Sequence, residues 1–389
     1  MFAAAVLVFL LCVLLVFYTY VGFPLLLAIL AKGKVRSVVS DVKNPHTSVA
    51  LIMSVFNEEK VIETKLKSLL NSNYQGVLSI YIGSDASTDR TAEIVKRFAA
   101  DDQRIVFVEN NSRRGKPAMI NDLIEQCDSE IILLTDANVF FEPDTISKLI
   151  RNFSDVEIGL AGATILNIGL KMDGISHQEK SYIQRENLIK YREGLLWGTM
   201  MGPFGGCYAL RKSAFVPVPT HFLVDDFFIC MTVLEKKLKC INELEAICYE
   251  DVSNDVQQEY KRKARISAGN FQNLKRFISF VGKPFSKVGF CFISHKVLRW
   301  LTPFFILLSL CCLIWLSFHQ PVFQLLLVGE LLLIFSPLID WLLKKINIHL
   351  RVIRFVSYFS LMNIALLKGF FRFIVGVKSG VWTPTKRTL

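Results

Sequence analysis

The sequence predicts an α/β domain with a mainly parallel sheet, flanked by transmembrane helices. Three observations carry this expectation. Residues 2–31 hold no charged side chain, and most of 297–377 is strongly apolar. Between them, over 45–280, short apolar runs alternate with helical stretches, the pattern of parallel strands joined by crossover helices. Within that region, Ile131-Ile-Leu-Leu-Thr-Asp136-Ala-Asn138 runs four apolar residues into a carboxylate. Such a stretch suits a strand buried on both faces, with a ligand group at its carboxyl end.

Composition narrows the class. The chain has 389 residues, 52% of them hydrophobic, and a net charge of +11. There is no zinc-finger spacing or basic–aromatic repeat, so nucleic acid is not the expected partner of that charge. The cations crowd beside the apolar segments, at Lys32, Lys34 and Arg36, at Lys344, Lys345, Arg351 and Arg354, and at Lys386 and Arg387. Anionic lipid and the positive-inside rule account for that distribution. The nine cysteines are scattered and form no CxxC, which fits reduced thiols rather than a disulfide framework.

Phe2 to Ala31 is too long for a signal-peptide core, so it is expected to be a transmembrane anchor. The cations after it put the N-terminus outside and the following domain in the cytosol. A linker ends near Asn44-Pro45. Ser48–Met53, Leu78–Ile82, Ile105–Val108 and Ile131–Thr135 are expected strands. Asn57–Leu70, Thr88–Phe98 and Lys116–Gln126 are the helices between them, the second opened by Ser87 or Thr88 as a cap.

Beyond Pro143 the alternation loosens. A polar helix near Gln178–Arg192 precedes the run Gly202-Pro-Phe-Gly205-Gly206, then come helices at Asp226–Leu238 and Val256–Ile278. Apolar spans follow at 298–318, 322–343 and 352–374. The last contains Arg354, Lys368 and Arg372 and is expected to lie in the membrane interface. The expected division is an anchor at 1–31, a cytosolic domain at 45–280, and interfacial and transmembrane helices at 281–389.

Several loops carry groups of chemical interest. Asp136 and Asn138 can offer oxygen to Mg2+ or Mn2+, or close an Asx turn. Asn57 and Glu59 can hold a nucleobase or ribose, or begin a helix. Asp85 follows a strand among small residues and can accept from a base or ribose, or close a turn. Arg114-Gly115-Lys116 offers cations and a helix N-terminus to a diphosphate, without the spacing of a P-loop. Asp225 and Asp226 can supply a general base or cap a helix. Arg262 and Arg265 share a helix face and suit either a diphosphate or anionic headgroups.

Taken in order, Asn57-Glu58-Glu59, Ser84-Asp85-x-Ser87-x-Asp89, Gly115-Lys116 and Asp136-x-Asn138 resemble the motifs of family 2 glycosyltransferases. The resemblance covers about 48–280 and extends to the flanking membrane helices. It implies a GT-A fold, a Rossmann-like domain that takes a nucleotide-sugar and a divalent metal. Val224-Asp225-Asp226 matches the family's acidic motif, which implies that Asp226 is the catalytic base. Arg262-Lys263-Ala264-Arg265-Ile266 is similar to its last basic motif. Three positions depart from the family: Asn138 replaces an Asp, Ala86 a Gly, and Ile266 a Trp. The Trp lies near the acceptor in polysaccharide synthases, so its loss weighs against processive polymerisation.

The resemblance implies an inverting glycosyltransferase in a bacterial plasma membrane. Asn57, Glu59, Asp85, Lys116, Asp136, Arg262 and Arg265 are the expected nucleotide-sugar residues, with Asp136 and Asn138 as metal ligands. Gly205, Gly206 and Asp225 are expected on the acceptor side. The expected donor is a UDP-sugar, and the acceptor a membrane-associated lipid or glycan. A processive exopolysaccharide synthase is the alternative within the class. A catalytically dead nucleotide-sugar sensor or a membrane scaffold is the alternative outside it.

Overall fold

A computed structural model describes residues 1–36, 47–168, 176–251, 255–346, 348 and 350–381. The linker near Asn44-Pro45, and Lys386 and Arg387 of the basic tail, lie outside the described residues. The chain forms two compact units, Met1–Ile29 with Asp255–Gly376, and Leu30–Asn254 with Val377–Leu389.

Helices α1 (Phe2–Phe17) and α2 (Phe23–Leu30) begin the first unit and are joined by a π-helical turn at Tyr18–Gly22. The second unit holds, in chain order, β1 (Val49–Val55), α3 (Ile62–Leu70), β2 (Leu78–Ser84), α4 (Thr91–Asp101), β3 (Ile105–Glu109), α5 (Lys116–Gln126), β4 (Ile131–Thr135), β5 (Val139–Phe141), α6 (Thr145–Ile150), β6 (Ile158–Ile168), α7 (Ser176–Trp197), β7 (Cys207–Arg211), α8 (Asp225–Glu235) and β8 (Lys239–Asp251). The helical unit resumes with α9 (Val256–Arg276), α10 (Ile278–Val281), α11 (Lys287–Cys291), α12 (Leu298–Ser317), α13 (Pro321–Lys345) and α14 (Arg351–Val375).

The strands form one sheet in the order β3-β2-β1-β4-β7-β6-β8-β5. β1 and β4 are central because their side chains are almost all buried, so both faces must be covered. β1 pairs parallel with both β2 and β4, so the chain leaves β1 to one side and later returns on the other. This reversal opens a crevice at the carboxyl ends of β1 and β4. The other half mixes directions, with β6 pairing parallel to β8. β7 runs antiparallel to β4 and β6, and β5 antiparallel to β8. The three residues between β4 and β5 are too few for a crossover helix, and the sequence pattern loosens at this same point. The antiparallel β7 pairs its first residue, Cys207, with Thr135, the last of β4. That register brings Gly205 and Gly206 to the end of the sheet where Asp136 emerges.

Two helices start later than expected. α3 begins at Ile62, because Asn57 takes a left-handed φ of 53° and its side chain bonds across to Thr88. α4 begins at Thr91 rather than Thr88, because Ser87 and Thr88 also bond to Asn57. Asp89 Oδ1 then accepts the Thr91 N–H at 3.0 Å.

Among the described residues, four stretches are long and apolar enough to cross a membrane: Phe2–Leu30, Lys287–Ser317, Pro321–Lys345 and Arg351–Val375. The first is tied to the second where Tyr18 Oη and Thr19 Oγ1 meet Ser294, each at 2.9 Å. The polar helix α9, expected in the sheet domain, belongs to this unit. It packs along α14, where Ser267 Oγ donates to Leu366 O at 2.7 Å and the Phe271 and Phe370 rings lie 5.0 Å apart.

Candidate active site

The site forms where β1, β2 and β4 end. At the first ending, Asn57 and Glu59 lace two loops together. Asn57 Oδ1 accepts the Thr88 N–H at 2.8 Å, and Glu59 Oε2 accepts the Arg90 N–H at 3.2 Å. At the second, Asp85 is 2% exposed. Its carboxylate accepts from the Arg114 N–H at 2.7 Å, the Gly115 N–H at 2.9 Å and Arg113 Nε at 3.2 Å. Asp85 therefore holds the loop that opens α5. The Arg113 guanidinium lies 3.3 Å from the centroid of the Phe56 ring, a flat stack at the mouth of β1.

Gly115 has a φ of 89°, which a residue with a Cβ rarely adopts, and α5 starts directly after it. The turn delivers Lys116 to the end of β4, where its ammonium meets Asp136 Oδ1 at 2.7 Å and Asp225 Oδ2 at 3.8 Å. Burial alone would lower the Lys116 pKa, but the two carboxylates outweigh it and raise it above its ordinary value.

Asp225 opens α8 without capping it, and its Oδ2 is buried with no hydrogen bond. Asp226 accepts the Phe227 N–H at 2.7 Å through Oδ1. Adjacency on a helix suggests one acid turned inward and the other left to cap. Instead Asp225 faces Lys116, and Asp226 faces the glycine turn, where a Cβ on Gly205 would lie 2.9 Å from Asp226 Oδ2. Burial, and then the neighbouring Asp225 charge, push the Asp226 carboxyl up to about 6. Gly206 is equally confined, since a Cβ there would lie 2.8 Å from Val139 Cγ2.

Asn138 is 4% exposed and donates its amide N–H to Glu250 Oε1 at 3.3 Å. Among the described residues, no three His, Cys, Asp or Glu side chains gather as a metal cage. Asp136 and the bond-free oxygen of Asp225, both facing Lys116, are the charged oxygens available. Such a pair fits Mg2+ or Mn2+ that draws the rest of its shell from a diphosphate and water.

The structure thus brings together Lys116, Asp136, Asp225, Asp226, Gly205 and Gly206, and gives Asn57, Glu59 and Asp85 loop-holding contacts. Arg262 and Arg265 lie on α9, in the helical unit. Arg262 forks onto Glu259 at 2.9 and 3.2 Å. Burial would raise the Glu259 carboxyl, but Arg262 and Lys263 outweigh it and hold it at about 2.

Other residues join the site without a motif to announce them. Tyr208 on β7 is buried with its hydroxyl unbonded, and burial and then Asp225 and Asp226 push its phenol well above the ordinary range. The Lys190 ammonium sits 3.3 Å from the Phe204 ring centroid. The C-terminal tail also reaches this unit: a Cβ on Gly115 would lie 3.1 Å from the Gly380 carbonyl carbon, and one on Gly380 2.5 Å from Thr220 O. None of these follows a spacing that a sequence reveals.

Comparisons with known proteins bear on the family and the fold. The family model described as glycosyl transferase family 2 matches residues 50–216. An N-acetylglucosaminyltransferase of Rhizobium leguminosarum bv. viciae is 36% identical over 30% of this chain and 28% of its own length. A poly-beta-1,6-N-acetyl-D-glucosamine synthase of Staphylococcus aureus (strain COL) is 25% identical over 59% of this chain and 56% of its own. The chain thus spans no more than about half the length of these curated relatives. A mannosyltransferase from Pyrobaculum calidifontis, in complex with GDP-Man and Mn2+, superposes with a TM-score of 0.70 at 20% identity. That match covers 94% of this chain and 99% of the mannosyltransferase, and it shows a GT-A fold.

Proposed function

Because this chain carries a family 2 glycosyltransferase domain with a GT-A fold, we propose that it is a membrane-bound inverting glycosyltransferase. Its donor is a nucleoside-diphosphate sugar, of which UDP-N-acetylglucosamine is the first to test given the names of its relatives. Its acceptor is a membrane-associated lipid or glycan, and its catalytic domain faces the cytosol. The observation that carries this reading is the convergence of Asp136, Asp225 and Asp226 around Lys116 at the sheet's switch point, against the Gly205-Gly206 turn.

Each residue has a part in the reaction. Asp226 accepts the proton of the acceptor hydroxyl as that oxygen bonds to the anomeric carbon. The bond from that carbon to the diphosphate breaks on the opposite face, and the nucleoside diphosphate leaves with the electron pair. A carboxylate raised to about 6 is ionised at neutral pH yet basic enough to take a proton in the transition state. Lys116 offsets charge on the departing diphosphate, and the Phe56–Arg113 stack offers a flat face to the base. Asp136, Asp225 and Asn138 would hold a divalent cation, which when bound supplies further positive charge to the diphosphate. Arg262 and Arg265 are proposed to assist at the same phosphates, on the motif resemblance alone.

The test uses detergent-purified full-length protein and a panel of UDP- and GDP-sugars. Release of free nucleoside diphosphate is followed with and without Mn2+. Turnover of one donor, abolished by Asp226→Asn, is the expected result. No binding and no turnover of any donor would favour a dead scaffold. A processive synthase is the second reading, favoured by the polymer named in the staphylococcal relative. Chain length of the product separates it from single transfer.

A further inference from the structure

Lys65 is a buried cation that the mechanism leaves without a part. It lies on α3 along the stripe Ile62, Leu66 and Leu69, where an apolar residue is expected, and it is fully buried. Among the described residues, no carboxylate accepts a hydrogen bond from it or pairs with it. Its ammonium donates to Thr135 Oγ1 at 3.0 Å and to the Val139 carbonyl, and it sits 3.7 Å from the Phe141 ring centroid.

These partners share one feature. Thr135 is the last residue of β4 and Val139 the first of β5, so Lys65 grips both ends of the loop Asp136-Ala137-Asn138. The grip extends further, because Thr135 Oγ1 donates to Gly206 O at 2.8 Å and the Asp136 N–H to the same carbonyl at 3.3 Å. One ammonium thereby ties the loop carrying Asp136 to the glycine turn that faces Asp226. Stability gives a poor account of such a group. Methionine would fill the same space, whereas burying a cation without a carboxylate is unfavourable. Burial pulls the Lys65 pKa from 10.5 down to about 8, a measure of that penalty.

We propose that Lys65 is a positioning residue for donor binding, clamping Thr135 and Val139 so that Asp136 and Asn138 are held in the geometry that a diphosphate and its cation require. This rests on the reading of Asp136 and Asn138 as donor-side groups.

The test compares full-length wild type, Lys65→Met and Thr135→Val in detergent. Three readouts are taken: amide hydrogen exchange, UDP affinity as Mn2+ is titrated, and donor and acceptor half-saturation. The expected result is faster exchange confined to 135–141, donor-side affinity weaker by roughly 10–100-fold as for other supports of ligand groups, and an unchanged acceptor half-saturation. Thr135→Val should move the same readouts less far, and it carries the test alone if Lys65→Met does not fold. A folded variant with wild-type loop exchange and donor affinity would overturn the proposal. So would exchange accelerated throughout the sheet with donor and acceptor affected alike, which marks a general core support. If the wild type binds no nucleotide-sugar, the parent reading fails, and the clamp is judged on whether exchange rises in that loop alone.

Discussion

Gly205 and Asp226 approach so closely that a single added methyl group would lie 2.9 Å from the Asp226 Oδ2 oxygen. The atom in the way is the end of a side chain, so Gly205→Ala should fold with Asp226 displaced. A displacement of about 1 Å costs on the order of 10²-fold in rate. Transfer by Gly205→Ala should fall by that much while UDP affinity holds. Equal losses in both would mean that the turn does not serve the base.

Lys116 is bonded to Asp136 and lies near Asp225, so its charge offsets both acids, and in the proposed reaction it also meets the diphosphate. Lys116→Met should reduce kcat by roughly 10²-fold, as loss of a preorganised cation does. Lys116→Arg should recover little, because a broad planar guanidinium does not reproduce the point charge of a compact ammonium. Steady-state rates for both variants over a range of donor concentrations decide the matter.

Asn138 donates to Glu250, so Asn138→Asp replaces that hydrogen bond with two facing carboxylates. The variant should lose about 1–3 kcal/mol of stability in EDTA, the cost of an unpaired buried polar group. Mn2+ should restore part of it if the new carboxylate joins the cation site. Melting midpoints in EDTA and in Mn2+ give the answer, and an unchanged midpoint in EDTA would show that the Glu250 contact carries no weight.

Much of the fold, and part of the candidate site, can be read from the amino-acid sequence alone. α5 and β4 fall at the residues expected, because an apolar run bounded by a polar loop leaves one consistent solution. Motif order brings out Asp136, Lys116 and Asp226. What stays hidden depends on pairing across the chain. Asn57 passes for a helix residue in sequence, and only its left-handed φ and its bond to Thr88 show otherwise. Asp85 reads as free for a nucleotide, but its oxygens are taken by the Arg113–Gly115 loop some thirty residues on. The antiparallel place of β7 beside β4 cannot be read locally, since the two strands lie far apart in sequence. Lys65 does leave a trace, as a lone cation in an apolar stripe.

The tail bears on topology. Val377–Val381 belongs to the same compact unit as the sheet, with Gly380 against Gly115. If the sheet domain and the end of α13, with Lys344 and Lys345, are both cytosolic as proposed, α14 begins and ends on one side, and its four cations support an interfacial course. Ser379→Cys in a cysteine-free background should resist an impermeant thiol reagent on intact cells and react after permeabilisation. Labelling of intact cells would place the tail outside and make α14 a full span.

The last prediction concerns Asp226 and pH. Its carboxyl is raised from 3.8 to about 6 by burial and by Asp225, so the ionised form that accepts a proton dominates only above that value. The kcat/KM for the acceptor should therefore rise through an acid limb near pH 6 and level off above pH 7. Asp226→Asn keeps the size but cannot accept the proton, and transfer should fall by roughly 10²–10⁴-fold. UDP affinity should be nearly unchanged. Stability gives an independent check. A carboxyl raised on folding binds its proton more tightly in the folded chain, so its contribution is present below pH 4 and is lost as pH rises through about 6. At pH 7 Asp226→Asn should thus melt no lower than wild type, while wild type gains on the variant as pH falls from 7 to 4. An acid limb that persists in the residual activity of Asp226→Asn would assign it to another group. If Asp225→Asn abolishes transfer while Asp226→Asn does not, the base is Asp225.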